Sequence, residues 1–234
     1  MIRKLANFWL HHVHPRIASL IATIGVVGLG SCLLILFILA KLAEEVLDKE
    51  AFAFDTSWLL WIHQFANPSL DAMMLTITKL GNPSFVVPTA GVALGLLWLR
   101  HYRQEAKIFA LACLGAFILN TGLKLVFTKP RPELWHRLIK ETSYSFPSGH
   151  ALGSMVLYGL LAYLVVNHYP KFAKIIYTFA VILIAIIGIS RLYLGVHWPT
   201  DIIAGYGVGF LWLTLSITML KLQGKRSLIK YYKR

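Results

Sequence analysis

Three short blocks carry the residues able to do chemistry: KLVFTKPRP at 124–132, PSGH at 147–150 and SRLYLGVHWPTD at 190–201. Lys124, Arg131 and Arg191 are cations, and Ser148, Gly149 and His150 stand where an apolar run begins, so their amides open a helix. A helix N-terminus presents unpaired N–H groups and a partial positive charge, which suits it to phosphate. Pro147 fits the approach to such a start, Ser148 can cap it, and Gly149 lets a ligand come close to the backbone. His197 and Asp201 lie four residues apart around a helix start near Pro199. The carboxylate can therefore reach back to the imidazole, fix its tautomer and leave the other ring nitrogen free to attack. His150 supplies a second ring, able to give a proton to a departing oxygen. Phosphoryl transfer needs this combination, and positioned cations contribute on the order of 10³–10⁵ in rate.

Each block also has a plainer reading. PSGH alone suits an ordinary helix cap with nothing bound, and Asp201 alone suits a cap for the following helix. Arg131 lies between Pro130 and Pro132, which hold the backbone extended and the side chain outward; taken singly it is a charged loop residue. Lys124 falls about a turn inside the end of an apolar run, where a lipid-facing charge costs up to ~2.5–3.5 kcal/mol at the core. Snorkelling accounts for it as well as ligand binding does. Glu133 and Glu141 read as solvated loop charges, which leaves Asp201 as the acid of the three blocks. A two-metal site wants clustered carboxylates, so no metal and no other cofactor is expected.

The elements that position these blocks follow from composition. Of 234 residues 57% are hydrophobic and 14% charged, against roughly a quarter charged in soluble domains, which marks an integral membrane protein. No linker, repeat or low-complexity tract divides the chain, so residues 1–234 are expected to form one domain. Cys32 and Cys113 sit in apolar runs and read as small buried residues rather than a disulfide or thiol metal site. Residues 17–40 lack charge and exceed the ~20 residues a bilayer crossing needs. Arg3 and Lys4 before them would suit the start of a signal peptide, but the run is too long and begins too late, so it is read as an anchor. Trp58, Trp61, Ile62 and Phe65 share one helical face suited to the water–lipid boundary, predicting a short amphipathic surface helix. A Gly-Asn-Pro turn at 81–83 separates the run 70–80 from a second span over 83–99. Further spans are predicted at about 107–126, 150–166, 174–190 and 200–220.

The fold class is thus all-α, a polytopic membrane protein of six transmembrane helices plus a short extracytoplasmic amphipathic helix. Six spans put both termini on one side, and the three blocks then emerge together on the other. The terminal side carries 14 of the 23 Lys and Arg and one of the ten acids, so the termini are expected in the cytoplasm and the blocks on the extracytoplasmic face. The formal charge of +13 is distributed between apolar spans, which argues for membrane orientation and against nucleic acid as partner. The basic tail KLQGKRSLIKYYKR is placed to touch anionic headgroups.

In order and spacing the blocks resemble the three-part signature of the type 2 phosphatidic acid phosphatase family, also called the lipid phosphate phosphatase superfamily. Lys124 is followed by Arg131 and Pro132, PSGH ends at His150, and Ser190 and Arg191 precede His197 and Asp201. The resemblance covers nearly all of residues 55–220, and every signature position is filled. It implies a six-span fold and a metal-independent site, with His197 as the nucleophile that forms a phosphohistidine, Asp201 orienting it and His150 as general acid. Lys124, Arg131, Ser148, Gly149 and Arg191 are implied to bind phosphate. The expected activity is hydrolysis of lipid phosphate monoesters or pyrophosphates, with undecaprenyl pyrophosphate, phosphatidylglycerophosphate, phosphatidic acid and diacylglycerol pyrophosphate as candidates and a polyprenyl pyrophosphate favoured. A bacterial plasma membrane fits the small size. Phosphoryl transfer to another lipid uses the same site and stays open. A non-catalytic phospholipid transporter is the rival, but its usual broken helices and internal repeats are not evident in the pattern.

Overall fold

The computed structural model describes residues 14–48 and 53–232, with side chains described over 24–48 and 54–223. Arg3 and Lys4, and most of the basic tail, lie outside the described residues or side chains. Among the described residues every regular element is helical: α1 (His14–Leu47), α2 (Ala53–His63), α3 (Pro68–Lys79), α4 (Pro83–Leu99), α5 (Arg103–Phe127), α6 (Gly149–His168), α7 (Ala173–Tyr193) and α8 (Pro199–Tyr232). A 3₁₀ turn, Pro170–Phe172, leads into α7.

Five of these helices are long and apolar enough to cross a bilayer, and α3 and α4, which meet at a 41° bend, together make the sixth candidate. The first span, expected at 17–40, lies within α1, which carries a non-helical Gly25 and runs on to Leu47. It continues past Lys41 and Glu44 because Leu42 and Val46 are buried with Phe146 and Ala204. The second span, expected at 83–99, is α4, and the run 70–80 lies in the separate helix α3. Taken together the two make a broken span or a re-entrant loop. The break has a local cause: Pro83 at the start of α4 has no N–H to continue the ladder. The α3–α4 corner supplies polar groups to the site described below.

Burial separates the inner helices from the outer ones. Of the spans α6 is the most buried and α1 the least, so α6 is the central helix and α1 a peripheral one. Phe109, Ala112 and Ala116 of α5 pack with Leu152, Val156, Leu157 and Leu160 of α6, and Trp212 and Leu213 of α8 close over them. Val26, Val27, Leu99 and Ile175 are each more than 70% exposed, as hydrocarbon-facing side chains are in a bilayer protein. Cys32 and Cys113 form no disulfide and are partly buried, Cys113 against the cluster that holds Phe109 and Ala112. The short surface helix is α2, and the shared face is corrected: Trp58, Trp61 and Phe65, the last beyond the helix end at His63, are exposed and meet edge-on at 5.9 and 5.2 Å, whereas Ile62 packs inward against the cluster of Tyr193, Leu194 and Val196.

Two connections carry the chemical residues. The segment 128–148 joins α5 to α6 without regular structure, a length that in compact proteins usually marks a functional loop. It is pinned at its middle by Trp135, which stacks on His63 of α2 at 4.0 Å. The turn from α7 to α8 depends on Gly195, whose φ of +65° lies in the left-handed region. A Cβ there would also meet Trp135 Cζ2 at 2.6 Å, so only glycine fits against the loop.

Candidate active site

The α7–α8 turn places His197 directly before the first turn of α8, and Asp201 lies within that turn. Both are buried, at 1% and 0% exposure, so every polar atom needs a partner. Asp201 Oδ2 accepts from His197 Nδ1 at 3.2 Å, from the Trp198 amide at 2.9 Å and from the Ser145 hydroxyl. The contact to Trp198 is the backward half of a capping box, so Asp201 both caps and orients. With Nδ1–H committed to the carboxylate, His197 Nε2 holds a lone pair, and Arg131 Nη1 lies 3.2 Å from it. Burial pushes the imidazole down to about 4, opposed by Asp201 and reinforced by Arg131 and Arg191. At neutral pH the ring is uncharged and Nε2 is available as a nucleophile.

Arg131 is rigidly placed. Its guanidinium donates to the Val196 carbonyl at 2.6 Å and to the Ser143 carbonyl at 2.8 Å, and reaches Ser143 Oγ at 3.2 Å. Burial lowers its pKa, opposed by Glu141. Arg191, 1% exposed near the end of α7, donates to Thr78 Oγ1 at 2.7 Å and to Glu141, while its Nε has no partner among the described residues. Glu141 thus bridges the two arginines, 3.8 Å from Arg131 Nη2. Burial would raise the Glu141 carboxyl, but Arg191 and Arg131 hold it below the usual carboxylate range. This corrects the reading of Glu141 as a solvated loop charge: the fold turns it inward as the countercharge of two desolvated guanidiniums. Glu133 is 83% exposed at its side chain and fits that reading.

Lys124 does not snorkel. It is 9% exposed, and its ammonium donates to the Tyr144 carbonyl in the 128–148 loop, close enough to Arg131, Asp201, Glu141 and Arg191 to feel their charges. Ser148 caps α6 by accepting from the Ala151 amide at 3.5 Å, and its own amide donates to the Asp201 carbonyl at 3.0 Å, tying the starts of α6 and α8 together. Space beside Gly149 is taken by Asn120, whose Nδ2 would lie 3.0 Å from a Cβ there. His150 Nε2 pairs with Asn82 Oδ1 at 2.7 Å and feels the charges of Arg191, His197 and Arg131. The eight sequence-predicted site residues are therefore joined by direct contacts or by electrostatic coupling, except Gly149, which belongs to the group by its place beside Ser148 and His150. A cavity of about 500 Å³ is lined by Glu141 together with Trp135, Arg137, Ile139 and Lys140.

Comparison with known proteins bears on this arrangement. Residues 105–225 match the PAP2 superfamily, a stretch holding all eight residues. The chain is 31% identical over 172 residues to phosphatidylglycerophosphatase B of Bacillus subtilis (strain 168), covering 72% of this chain and 79% of that protein. The chain belongs to the PAP2 superfamily. Among other PAP2-type relatives, it is 28% identical over 183 residues to an undecaprenyl-diphosphatase of Sulfolobus acidocaldarius, covering 76% of this chain and 84% of the other. The crystal structure of a transmembrane PAP2 type phosphatidylglycerolphosphate phosphatase from Bacillus subtilis superposes with a TM-score of 0.75 at 27% identity, over 82% of this chain and 96% of that one. LpxE of Aquifex aeolicus gives a TM-score of 0.58 at 25% identity, over 71% of this chain and 96% of that one.

Several residues of this PAP2 site escaped the sequence reading. Ser145 bonds Asp201 and lies 3.4 Å from His197 Nδ1; its place two residues before PSGH carries no periodic signal. Asn82 and Thr78 come from the α3–α4 corner. Asn82 stands at the N-cap of α4 yet makes no side-chain cap bond, and its carbonyl turns to His150 instead. In sequence it had been legible only as part of a turn.

Proposed function

We propose that this chain is a metal-independent membrane lipid phosphatase that works through a phosphohistidine. The observation that carries the reading is His197, buried and uncharged, with Asp201 at one ring nitrogen and Arg131 at the other. The phosphate of a lipid binds between Arg131 and Arg191, near Lys124 and the amides that open α6 at Ser148, Gly149 and His150. Arg131 Nη1 moves from Nε2 to a phosphate oxygen, and Nε2 attacks phosphorus in line. A P–N bond forms as the P–O bond to the lipid alkoxide or phosphate breaks, and His150 gives that oxygen a proton. Water then attacks the phosphohistidine, His150 takes its proton, and the P–N bond breaks to release inorganic phosphate. Asp201 keeps Nδ1–H in place throughout and balances the positive ring. The cavity beside Glu141 leaves room for the group that carries the phosphate.

The relatives, a phosphatidylglycerophosphatase and an undecaprenyl-diphosphatase, support a phosphate or diphosphate on a lipid as substrate. In this proposal the whole chain acts as one domain in a bacterial plasma membrane, with termini in the cytoplasm and the site on the extracytoplasmic face, supported by the excess of Lys and Arg on the terminal side.

The test is phosphate release in EDTA from undecaprenyl pyrophosphate, phosphatidylglycerophosphate, phosphatidic acid and diacylglycerol pyrophosphate, with His197→Asn as control. Release from at least one lipid is expected, and the variant is expected to elute like the parent but release none. Undiminished release by the variant ends the nucleophile assignment. Activity lost in EDTA and restored by a divalent cation ends metal independence.

A further inference from the structure

We propose that Lys129 and Asp55 form a buried brace that positions Asp201, and through it His197, for attack; this inference rests on the reading of His197 as the nucleophile. Asp201 offers two oxygens, and they are treated differently. Oδ2 takes three donors, from Ser145, Trp198 and His197. Oδ1 is buried without a hydrogen bond among the described residues, and the Lys129 ammonium faces it at 3.2 Å. A carboxylate taken wholly out of water is costly unless a charge compensates it, and Lys129 is that charge.

Lys129 is itself held. Its ammonium donates to Thr200 Oγ1 at 2.7 Å, lies 3.5 Å from Asp55 Oδ2, and sits 5.8 Å from the ring centroids of both Phe146 and Trp198. Asp55, on α2, accepts from the Thr200 amide at 3.0 Å through Oδ1 and from the Thr200 hydroxyl at 2.6 Å through Oδ2. It thereby caps α8 from a different helix, satisfying an amide that the start of α8 otherwise leaves unpaired. Asp55 and Thr200 are 3% and 0% exposed, so the contacts are not surface ion pairs of little consequence.

The brace has a chemical consequence that packing alone lacks. Asp55 and Asp201 are two carboxylates facing one ammonium. Without Lys129 they repel across a dry interior, and Asp201 Oδ1, buried with no hydrogen bond among the described residues, gains by turning the carboxylate away. That turn removes the acceptor that keeps the proton on His197 Nδ1, so Nε2 loses its lone pair to the other tautomer. Lys129 faces this carboxylate pair and not the Arg131–Arg191 pair that receives phosphate in the proposed mechanism. Its effect belongs in the chemical step.

Lys129→Met keeps length and removes the charge. In detergent-solubilised protein it is expected to lower kcat for the preferred lipid phosphate by about ten- to a hundredfold, the range of a lost charge-assisted contact. KM stays within about twofold, and Lys129→Arg recovers most of the rate. A Lys129→Met enzyme with parental kcat, or with raised KM at unchanged kcat, overturns the brace. Thr200→Val guards against misfolding of the first variant: it keeps shape and formal charge but cuts the hydroxyl that links Lys129 to Asp55. It is expected to lower kcat by about three- to tenfold at constant KM, and unchanged kcat there also overturns the proposal. Failure of the underlying reading shows separately, as activity remaining in His197→Asn.

Discussion

His197 shows how burial and a single carboxylate set reactivity. The ring is pushed down to about 4 by burial, so the folded protein keeps it neutral well below the ordinary histidine range near 6.5. For a nucleophile the neutral form is the reactive one, so acid removes activity only as the pH approaches 4. Phosphoenzyme formation, measured by rapid quench, is expected to stay level from pH 7 down to about 5 and then fall with a midpoint near 4. A midpoint near 6.5 would show an imidazole that the fold does not protect. Glu141 makes the opposite kind of contribution: its carboxylate faces Arg131 and Arg191, the pair to which the proposed mechanism assigns the phosphate. Glu141→Gln removes the competing charge and is expected to tighten inhibition by inorganic phosphate by about tenfold, or ~1.4 kcal/mol. Weaker inhibition in that variant would mean that Glu141 holds the arginines in place instead of contending for them.

At the scale of elements, the site is assembled where helices begin, end or break. The start of α6 presents Ser148, Gly149 and His150, the start of α8 presents Asp201, the end of α7 presents Arg191, and the α3–α4 corner presents Thr78 and Asn82. Helix ends leave backbone groups unpaired, and a bend exposes polar side chains that a continuous span would have to hide. The α7–α8 turn is the least replaceable of these pieces. Gly195→Val demands a left-handed backbone from a β-branched residue, at roughly 1–2 kcal/mol, and drives a side chain into Trp135, 2.6 Å from where its Cβ stands. Thermal unfolding in micelles is expected to shift several degrees lower with kcat reduced, because Trp135 also holds the loop that carries Arg131. An unchanged melting curve would dismiss this account of the turn.

For the whole molecule the decisive property is that a buried polar site is enclosed by helix ends in a bundle whose outer faces are apolar. The central α6 is the most buried span and opens at the site, so the chemical groups rest on the best-packed part of the protein. Sidedness can be measured with single cysteines in a background lacking Cys32 and Cys113. A cysteine at exposed Glu133 is expected to react with a membrane-impermeant maleimide on intact cells, and one at exposed His101 only after permeabilisation. Labelling of His101→Cys but not Glu133→Cys on intact cells would invert the proposed orientation.

Apolar run lengths and polar boundaries were enough to place five of the spans to within a few residues, with the α1 end late by seven, because hydrophobic thickness is a property of consecutive residues. The His197–Asp201 contact was likewise legible, as a four-residue spacing across a helix start is local geometry. Tertiary structure alone decided the partners that come from afar. Asp55 is 145 residues from Thr200, Thr78 is 113 from Arg191, and Asn82 is 68 from His150. Such contacts depend on how helices rotate and bend against one another, which no periodicity along a single segment records. Glu141 follows the same rule: a loop carboxylate looks solvated in sequence, and only the fold brings it between two buried arginines whose charge draws it in.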